Sequence, residues 1–333
     1  MKKKITIIIP FLNEGEELLH TIKSIYETTS PKLFEIIVVN DASTIQSTGL
    51  EKYKEITIIR NLERLGVDAS RNKAVKLAKT CHVFIIDAHM RFRNDNWCEK
   101  IIKALNKEPK TIFCTCSIAL DYSRPDVTVK NAKLGKYYGA NLLLYNHNGI
   151  EPGKPSSYRD IIVPKWRKGI KKTGKGIYEI PCVLGATYGI NRKWFNKLKG
   201  FEGLKMWGSS EPFISLKSWL AGGKCKIISD VEIGHYYRKK SPYTTETYYL
   251  LYNKMFIAKT IFPKNLASDM INYLGNNSNV RRSKKLIDAN RDLINEYREY
   301  FEALFTKSIF DICIKFNINH NWPENIPYHQ LNE

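Results

Sequence analysis

Long hydrophobic runs are missing from this sequence. A membrane-spanning helix needs about 20 consecutive apolar residues. The opening Met-Lys-Lys-Lys is followed only by the five-residue run Ile5 to Ile9, which Pro10 ends. That run is too short for the apolar region of a secretory leader, and nothing downstream is longer, so the expectation is a soluble, cytoplasmic protein. A disulfide framework is also lacking. The seven cysteines, at 81, 98, 114, 116, 182, 225 and 313, are odd in number and irregularly spaced, unlike the paired patterns of secreted scaffolds. Cys114 and Cys116 form a C-x-C with no second pair to complete a zinc knuckle, and they read as two thiols on one face of a strand. Acidic residues are scarce: 33 Asp and Glu stand against 53 Lys and Arg, a formal net charge of +20. Such an excess keeps a protein soluble. It also suits a polyanionic partner, whether nucleic acid, a phosphate-rich polymer or an anionic membrane face.

What is present is enough apolar residue, 43% of 333, for a packed core and against disorder. The length fits one large α/β domain, or one domain with an appendage. Ile5 to Ile9 has the continuous β-branched character of a parallel strand buried on both faces. A helical pattern follows (Leu18, Leu19, Ile22, Ile25, Tyr26). Further strands are expected at Phe34 to Val39, Ile56 to Ile59 and Val83 to Ile86, with a helix over Ala69 to Ala78. Strand, loop and helix therefore repeat, as in an open parallel sheet. Ligands of such sheets lie beyond the carboxyl ends of the strands. The polar groups that follow each strand, Asn13 and Glu14, Asp41 and Ser43, Asp87 and His89, are thus expected to converge on one crevice.

Between about 122 and 178 the periodicity dissolves. Gly149 to Pro155 reads as loop. Residues 164 to 176, "PKWRKGIKKTGKG", hold six Lys or Arg and no acid, either a solvated excursion or a lid that meets the acceptor. Order returns with "EIPCVLGATYGINRKWF", "MWGSSEPFISLKSWLAGG" and "KCKIISDVEIGHYYR". After about residue 242 the pattern is helical, with an apolar stripe of Leu286, Ile287, Leu293, Ile294, Tyr297 and Phe301. The expected organisation is one α/β domain over 1–240 and a helical region over 241–333.

The ordered set "IIIPFLNEGEELLHTIKSI", "EIIVVNDAST", "RLGVDASRNKAVKLAKT", "IDAHMRFRNDNWCEKII", "GATYGINRKWF", "WGSSEPFISLKSW" and "VEIGHYYR" resembles the GT-A fold glycosyltransferases of family 2. It is similar also to the polypeptide N-acetylgalactosaminyltransferases. The likeness spans roughly residues 4 to 260 and implies an α/β, Rossmann-like, mostly parallel sheet flanked by helices. The resemblance implies that the domain over 1–240 is the nucleotide-sugar-binding and catalytic one and that the region over 241–333 contributes to acceptor binding. It implies that Pro10, Asn13 and Glu14 close the first strand over the nucleotide, that Asp41 accepts a hydrogen bond from uracil or ribose, and that Arg71 lies by the base or diphosphate. Asp87-Ala88-His89 stands where family 2 has Asp-x-Asp and the N-acetylgalactosaminyltransferases have Asp-x-His. His235 in "GH" would complete the metal shell. Gly185 to Thr187 would pass under the donor sugar, with Trp207 beside it.

That reading implies a UDP-sugar donor and a divalent ion that neutralises the departing diphosphate. A carboxylate with imidazoles favours Mn2+ over Mg2+. Aligning Trp207 and Trp219 with the family's tryptophans puts Glu211 where inverting enzymes keep their base, and Ser210 where they keep a glutamate. Glu211, followed by Pro212, is either that base or a cap of the helix N-terminus. For the acceptor, the basic segment offers Arg167, Lys168, Lys171 and Lys172, interleaved with Trp166 and Tyr237. These point to an acidic acceptor. The leading expectation is hydroxymethylated DNA of the phage type, modified in the host cytoplasm, with the base flipped out of its stack. Alternatives are an envelope glycan or teichoic acid reached by peripheral membrane contact, a peptide hydroxyl, and a non-catalytic nucleotide-sugar or nucleic-acid binder.

Overall fold

The computed structural model describes residues 3–53, 56–93, 95–121, 124–128, 135–144, 161–168, 176–238 and 241–318. Lys171, Lys172 and the loop expected at Gly149 to Pro155 lie outside them.

The expected parallel strands form, as β1 (Ile5–Phe11), β2 (Phe34–Asn40), β3 (Ile56–Arg60) and β4 (His82–Ile86), with α1 (Glu17–Thr28) and α2 (Val67–Leu77) between them. β1 lies between β2 and β4, parallel to both, and β3 pairs parallel with β2 at the sheet edge. All seven residues of β1 are buried. Ile5, Ile7 and Ile9 pack into one hydrophobic cluster with Leu18 and Ile22 of α1, whereas Ile8 joins a second cluster on the other face. A strand covered on both faces is apolar almost throughout, which is why its sequence carries no alternation; its one polar side chain, Thr6, is buried and hydrogen-bonded to Glu35 and Thr80. β3 differs from the buried run expected there: Ile58 is exposed, because only one neighbour covers an edge strand.

The sheet continues past β4 through β11 (Thr187–Asn191), antiparallel to both β4 and β6 (Thr111–Asp121), and then through β12 (Lys224–Tyr236), parallel to β6. The short β5 (Met90–Phe92) and α3 (Trp97–Lys107) follow β4, and β5 pairs antiparallel with the end of β12. α4 (Arg192–Lys197) and α5 (Ser210–Leu220) lie between β11 and β12.

The stretch without periodicity nevertheless contains β7 (Arg124–Thr128), β8 (Lys136–Leu143), β9 (Val163–Lys168) and β10 (Ile177–Glu179). They pair antiparallel, and three of the six residues of β9 are exposed. Their stability comes from pairing, so hydrophobic patterning did not announce them. All seven cysteines are free, and Cys114 and Cys116 lie buried in β6.

Beyond residue 241 come α6 (Thr247–Ile261), α7 (Lys264–Tyr273), α8 (Ser278–Ala289), α9 (Arg291–Leu304) and α10 (Ile309–Phe316). The stripe expected as one run is broken at Asn290, whose Nδ2 donates to Leu286 O (2.7 Å). Met255, Phe256, Phe301 and Phe310 belong to the same cluster as Ile8, Val39 and Ile85 of the sheet. The helical region is therefore built into the core. Among the described residues no helix is long and apolar enough to cross a membrane.

Candidate metal and nucleotide-sugar site

β4 ends at Ile86 and the chain turns at once through Asp87, Ala88 and His89 into β5. Thr21 of α1 fixes this turn: its Oγ1 donates towards Ala88 O (2.8 Å) and Met90 O (3.1 Å) and accepts from Met90 N (2.9 Å). Because His235 of β12 pairs with Met90 of β5, the second histidine arrives beside the first although 146 positions separate them in sequence. The rings of His89 and His235 are 4.9 Å apart. Asp87, His89 and His235 each offer a ligand atom, and all three atoms lie within 4.8 Å of one another.

The donor set suits a divalent cation in three respects. Both ring nitrogens of His235 are buried without a hydrogen-bond partner, although Nε2 faces Asp87 Oδ2 at 3.4 Å. Burial pulls both imidazoles below their ordinary pKa, so both are neutral at pH 7, as metal ligands must be. His89 Nδ1 is 3.3 Å from Glu14 Oε2, which leaves Nε2 to coordinate, with a carboxylate orienting the ring from behind. Glu14 is in turn held by Arg238. It is thus a support for His89, a role its place after β1 did not suggest.

Behind Asp87 stands a buried guanidinium. Arg71 of α2 reaches Asp68 (3.3 Å), Asp87 (3.5 Å) and Glu211 (3.6 Å), and Ser210 Oγ donates to Asp68 Oδ2 (2.8 Å). Three carboxylates around one guanidinium leave two negative charges in excess when all are ionised, which one divalent cation at Asp87 would balance. Burial raises the pKa of Glu211 and of Asp68, and the charge of Arg71 only partly offsets it. Asp68 and Arg71 were separated by two residues in "VDASR", yet nothing local marked Asp68 as the partner of Ser210, 142 positions away.

Glu211 lies in the first turn of α5, where its carboxylate accepts from its own backbone amide. The N-cap is Ser209, which makes no side-chain cap bond. The Glu211 carboxylate also leans over Gly185, where a Cβ would stand 2.5 Å from Oε1. Glycine at 185 is therefore what lets the carboxylate face the cavity. The approach to α5 is held in left-handed conformations at Met206 (φ 55°) and Ser209 (φ 70°), a form of stored strain common at functional sites. Gly66 fits tightly against it, with Val67 N donating to Met206 O (2.8 Å).

These groups line a cavity of about 700 Å3 at the carboxyl ends of β1, β2 and β4. Pro10, Glu14, Asp41, Arg71, Asp87, Ala88, His89, Gly185, Trp207, Glu211 and His235 all line it, as do Trp166 and Tyr237. Asn13 does not. Its Oδ1 accepts from Thr44 N (2.9 Å) and Ile45 N (3.1 Å) and ties the loop after β2 to the loop after β1. Asp41 also serves the scaffold, accepting from Leu65 N, Gly66 N and Asn61 Nδ2. Arg167 and Lys168 lie on β9 beside the cavity without lining it. Arg238, which had no role assigned from sequence, and Tyr243 line the cavity just beyond β12.

Residues 6–165 match the sequence model of the family described as Glycosyl transferase family 2. Over 249 residues the chain is 29% identical to human polypeptide N-acetylgalactosaminyltransferase 10, covering 72% of this chain and 38% of that protein. To polypeptide N-acetylgalactosaminyltransferase 4 of Caenorhabditis elegans it is 27% identical over 244 residues, covering 72% and 39%. The chain thus spans less than half the length of these relatives. A crystal structure of GalNAc-T7 with UDP, GalNAc and Mn2+ superposes with a TM-score of 0.69 at 20% identity, over 94% of this chain and 57% of that one. The chain therefore has the GT-A fold and carries a glycosyltransferase family 2 domain homologous to the polypeptide N-acetylgalactosaminyltransferases.

Proposed function

We propose that the protein is a metal-dependent glycosyltransferase that moves a sugar from a UDP-sugar to a Ser or Thr hydroxyl of a peptide. The observation that carries this reading is the Asp87, His89 and His235 cluster at the base of the large cavity. A divalent cation held by these three residues supplies the positive charge that a departing diphosphate needs, and their mixed oxygen and nitrogen set suits Mn2+ better than Mg2+.

The chain's own residues do the rest. Pro10, Phe11 and Leu12 give the nucleotide a wall at the end of β1. Arg71 ties the metal ligand Asp87 to Glu211, so donor and acceptor machinery share one rigid support. Glu211 faces the cavity with a raised pKa. In its ionised form it is a carboxylate able to take the proton of an acceptor hydroxyl.

The homologues are named for polypeptide acceptors, which supports a peptide hydroxyl over the DNA acceptor expected from charge alone. No comparison supports DNA. The test is transfer from a panel of UDP-sugars, UDP-GalNAc first, with Mn2+, offered in parallel to Ser/Thr peptides, hydroxymethylated DNA and teichoic acid. Sugar on the peptides is the expected result. Transfer to DNA or teichoic acid with none to peptide overturns the acceptor reading.

A further inference from the structure

Away from Asp87, His89 and His235, the strand beside the cavity carries cations that no acid among the described residues answers. β9 reads Val163-Pro164-Lys165-Trp166-Arg167-Lys168, with three cations in six residues and no acid. Side chains alternate across a strand, so Lys168 shares a face with Pro164 and Trp166, both of which line the cavity. Among the described residues neither Lys165 nor Lys168 has an ion-pair partner, and both are exposed. Neighbouring lysines of the sheet are paired: Lys136 with Glu232, Lys224 with Glu179 and Lys226 with Glu108. The four carboxylates that line the cavity are occupied as well. Glu14 meets Arg238 and His89, Asp41 meets backbone amides and Asn61, and Asp87 and Glu211 meet Arg71.

Aromatic packing fixes these cations near the reacting centre. The Trp166 ring, 49% exposed, lies 5.2 Å from Tyr137 and 5.0 Å from Tyr237, and Tyr237 lies 4.3 Å from His235. The chain of rings runs from His235 to Trp166, and both line the cavity. β9 is therefore a rigid, cationic and aromatic edge beside the place where an acceptor must enter.

We propose that this edge binds acidic residues flanking the acceptor hydroxyl, so that the substrate class is an acidic Ser/Thr peptide. Lys168 supplies the charge on the face it shares with Trp166, which gives the apolar contact, and Lys165, on the opposite face, adds only to the positive field of the edge. The inference rests on the peptide reading above and adds the charge of the acceptor to it. Exposed ion pairs are individually weak and screened by salt, so the effect belongs in KM and fades as ionic strength rises.

The experiment uses three Ser/Thr peptides, identical except for Asp/Glu, neutral or Lys flanks, with UDP-GalNAc and Mn2+, at about 50 mM and about 200 mM salt. The acidic peptide is expected to exceed the neutral one by about tenfold in kcat/KM at low salt, with the difference in KM and shrinking at high salt. In the double variant Lys165→Glu/Lys168→Glu the ratio is expected to fall to one or below and to turn in favour of the Lys-flanked peptide. Both side chains are exposed, so an unchanged melting temperature shows that the fold is kept. Equal kcat/KM for acidic and neutral peptides, or an acidic preference that survives the charge reversal, overturns the inference and leaves the peptide reading standing. If no peptide accepts sugar while hydroxymethylated DNA does, both fall.

Discussion

Asp87, His89 and His235 do different work from Glu211, and single substitutions separate them. Alanine at any of the three removes a ligand from a cluster whose atoms lie within 4.8 Å. Transfer is expected to be lost, together with Mn2+ binding measured by calorimetry, while the circular dichroism spectrum is kept. Wild-type-like turnover in any of them contradicts the assignment. Glu211→Gln removes the base and preserves the shape of the side chain, so kcat is expected to fall by about 10²-fold or more, with Mn2+ binding retained. The pH dependence follows from the direction of the shift. Burial raises the Glu211 pKa, and the base works only when deprotonated. The wild-type rate should therefore climb as pH rises through a value above the usual glutamate range, and Glu211→Gln should flatten that limb. Asp68 is buried and does not line the cavity. It positions Arg71 and Ser210. Asp68→Asn is expected to lower kcat by about tenfold with KM for the donor little changed, since removing one partner of a buried charged network disturbs the geometry of the rest. A change in donor KM alone would place Asp68 elsewhere in the mechanism.

At the level of elements, the site depends on close joints that admit no side chain. A Cβ at Gly66, which sits at φ 95°, would stand 2.3 Å from Met206 Cα. Gly66→Ala should therefore lower the melting temperature and disturb the approach to α5 together, and unchanged thermal unfolding would contradict the joint. The strands that carry the metal turn were legible in the sequence because burial on both faces forces an unbroken apolar run, as in Ile5 to Ile9 and Val83 to Ile86. β7 to β10 were not, since antiparallel strands of this kind owe their place to partners far along the chain. The break at Asn290 was hidden because the apolar stripe carries on through it, leaving the period intact. The metal site was legible through the family resemblance, which sets Asp-x-His and a "GH" strand end at the metal positions. Its supports were not. Glu14 meets Arg238 across 224 positions and Asp68 meets Ser210 across 142, and neither pairing leaves a local signature.

Over the whole molecule, one hydrophobic cluster joins the sheet to the helices beyond residue 241, with Met255, Phe256 and Phe301 packed in the same core as Val39 and Ile85. A chain ending near residue 241 would expose that apolar face to water. It is expected to be insoluble or to lose its cooperative thermal transition, and a cooperatively folding 1–241 fragment would show that the helical region is a separable unit. The same joining places Leu250 and Lys254 of α6 in the wall of the catalytic cavity. The helical region thus shapes the site as well as the core.

The central claim is that Asp87, His89 and His235 hold the divalent ion on which sugar transfer depends. It is tested most directly by measuring UDP-GalNAc turnover with a Ser/Thr peptide after exhaustive chelation and then across an Mn2+ titration, for the wild type and for His235→Ala. The account predicts no turnover in the chelated wild type, recovery that saturates with Mn2+, and no recovery in His235→Ala. Full activity without metal, or equal recovery in the variant, would contradict it.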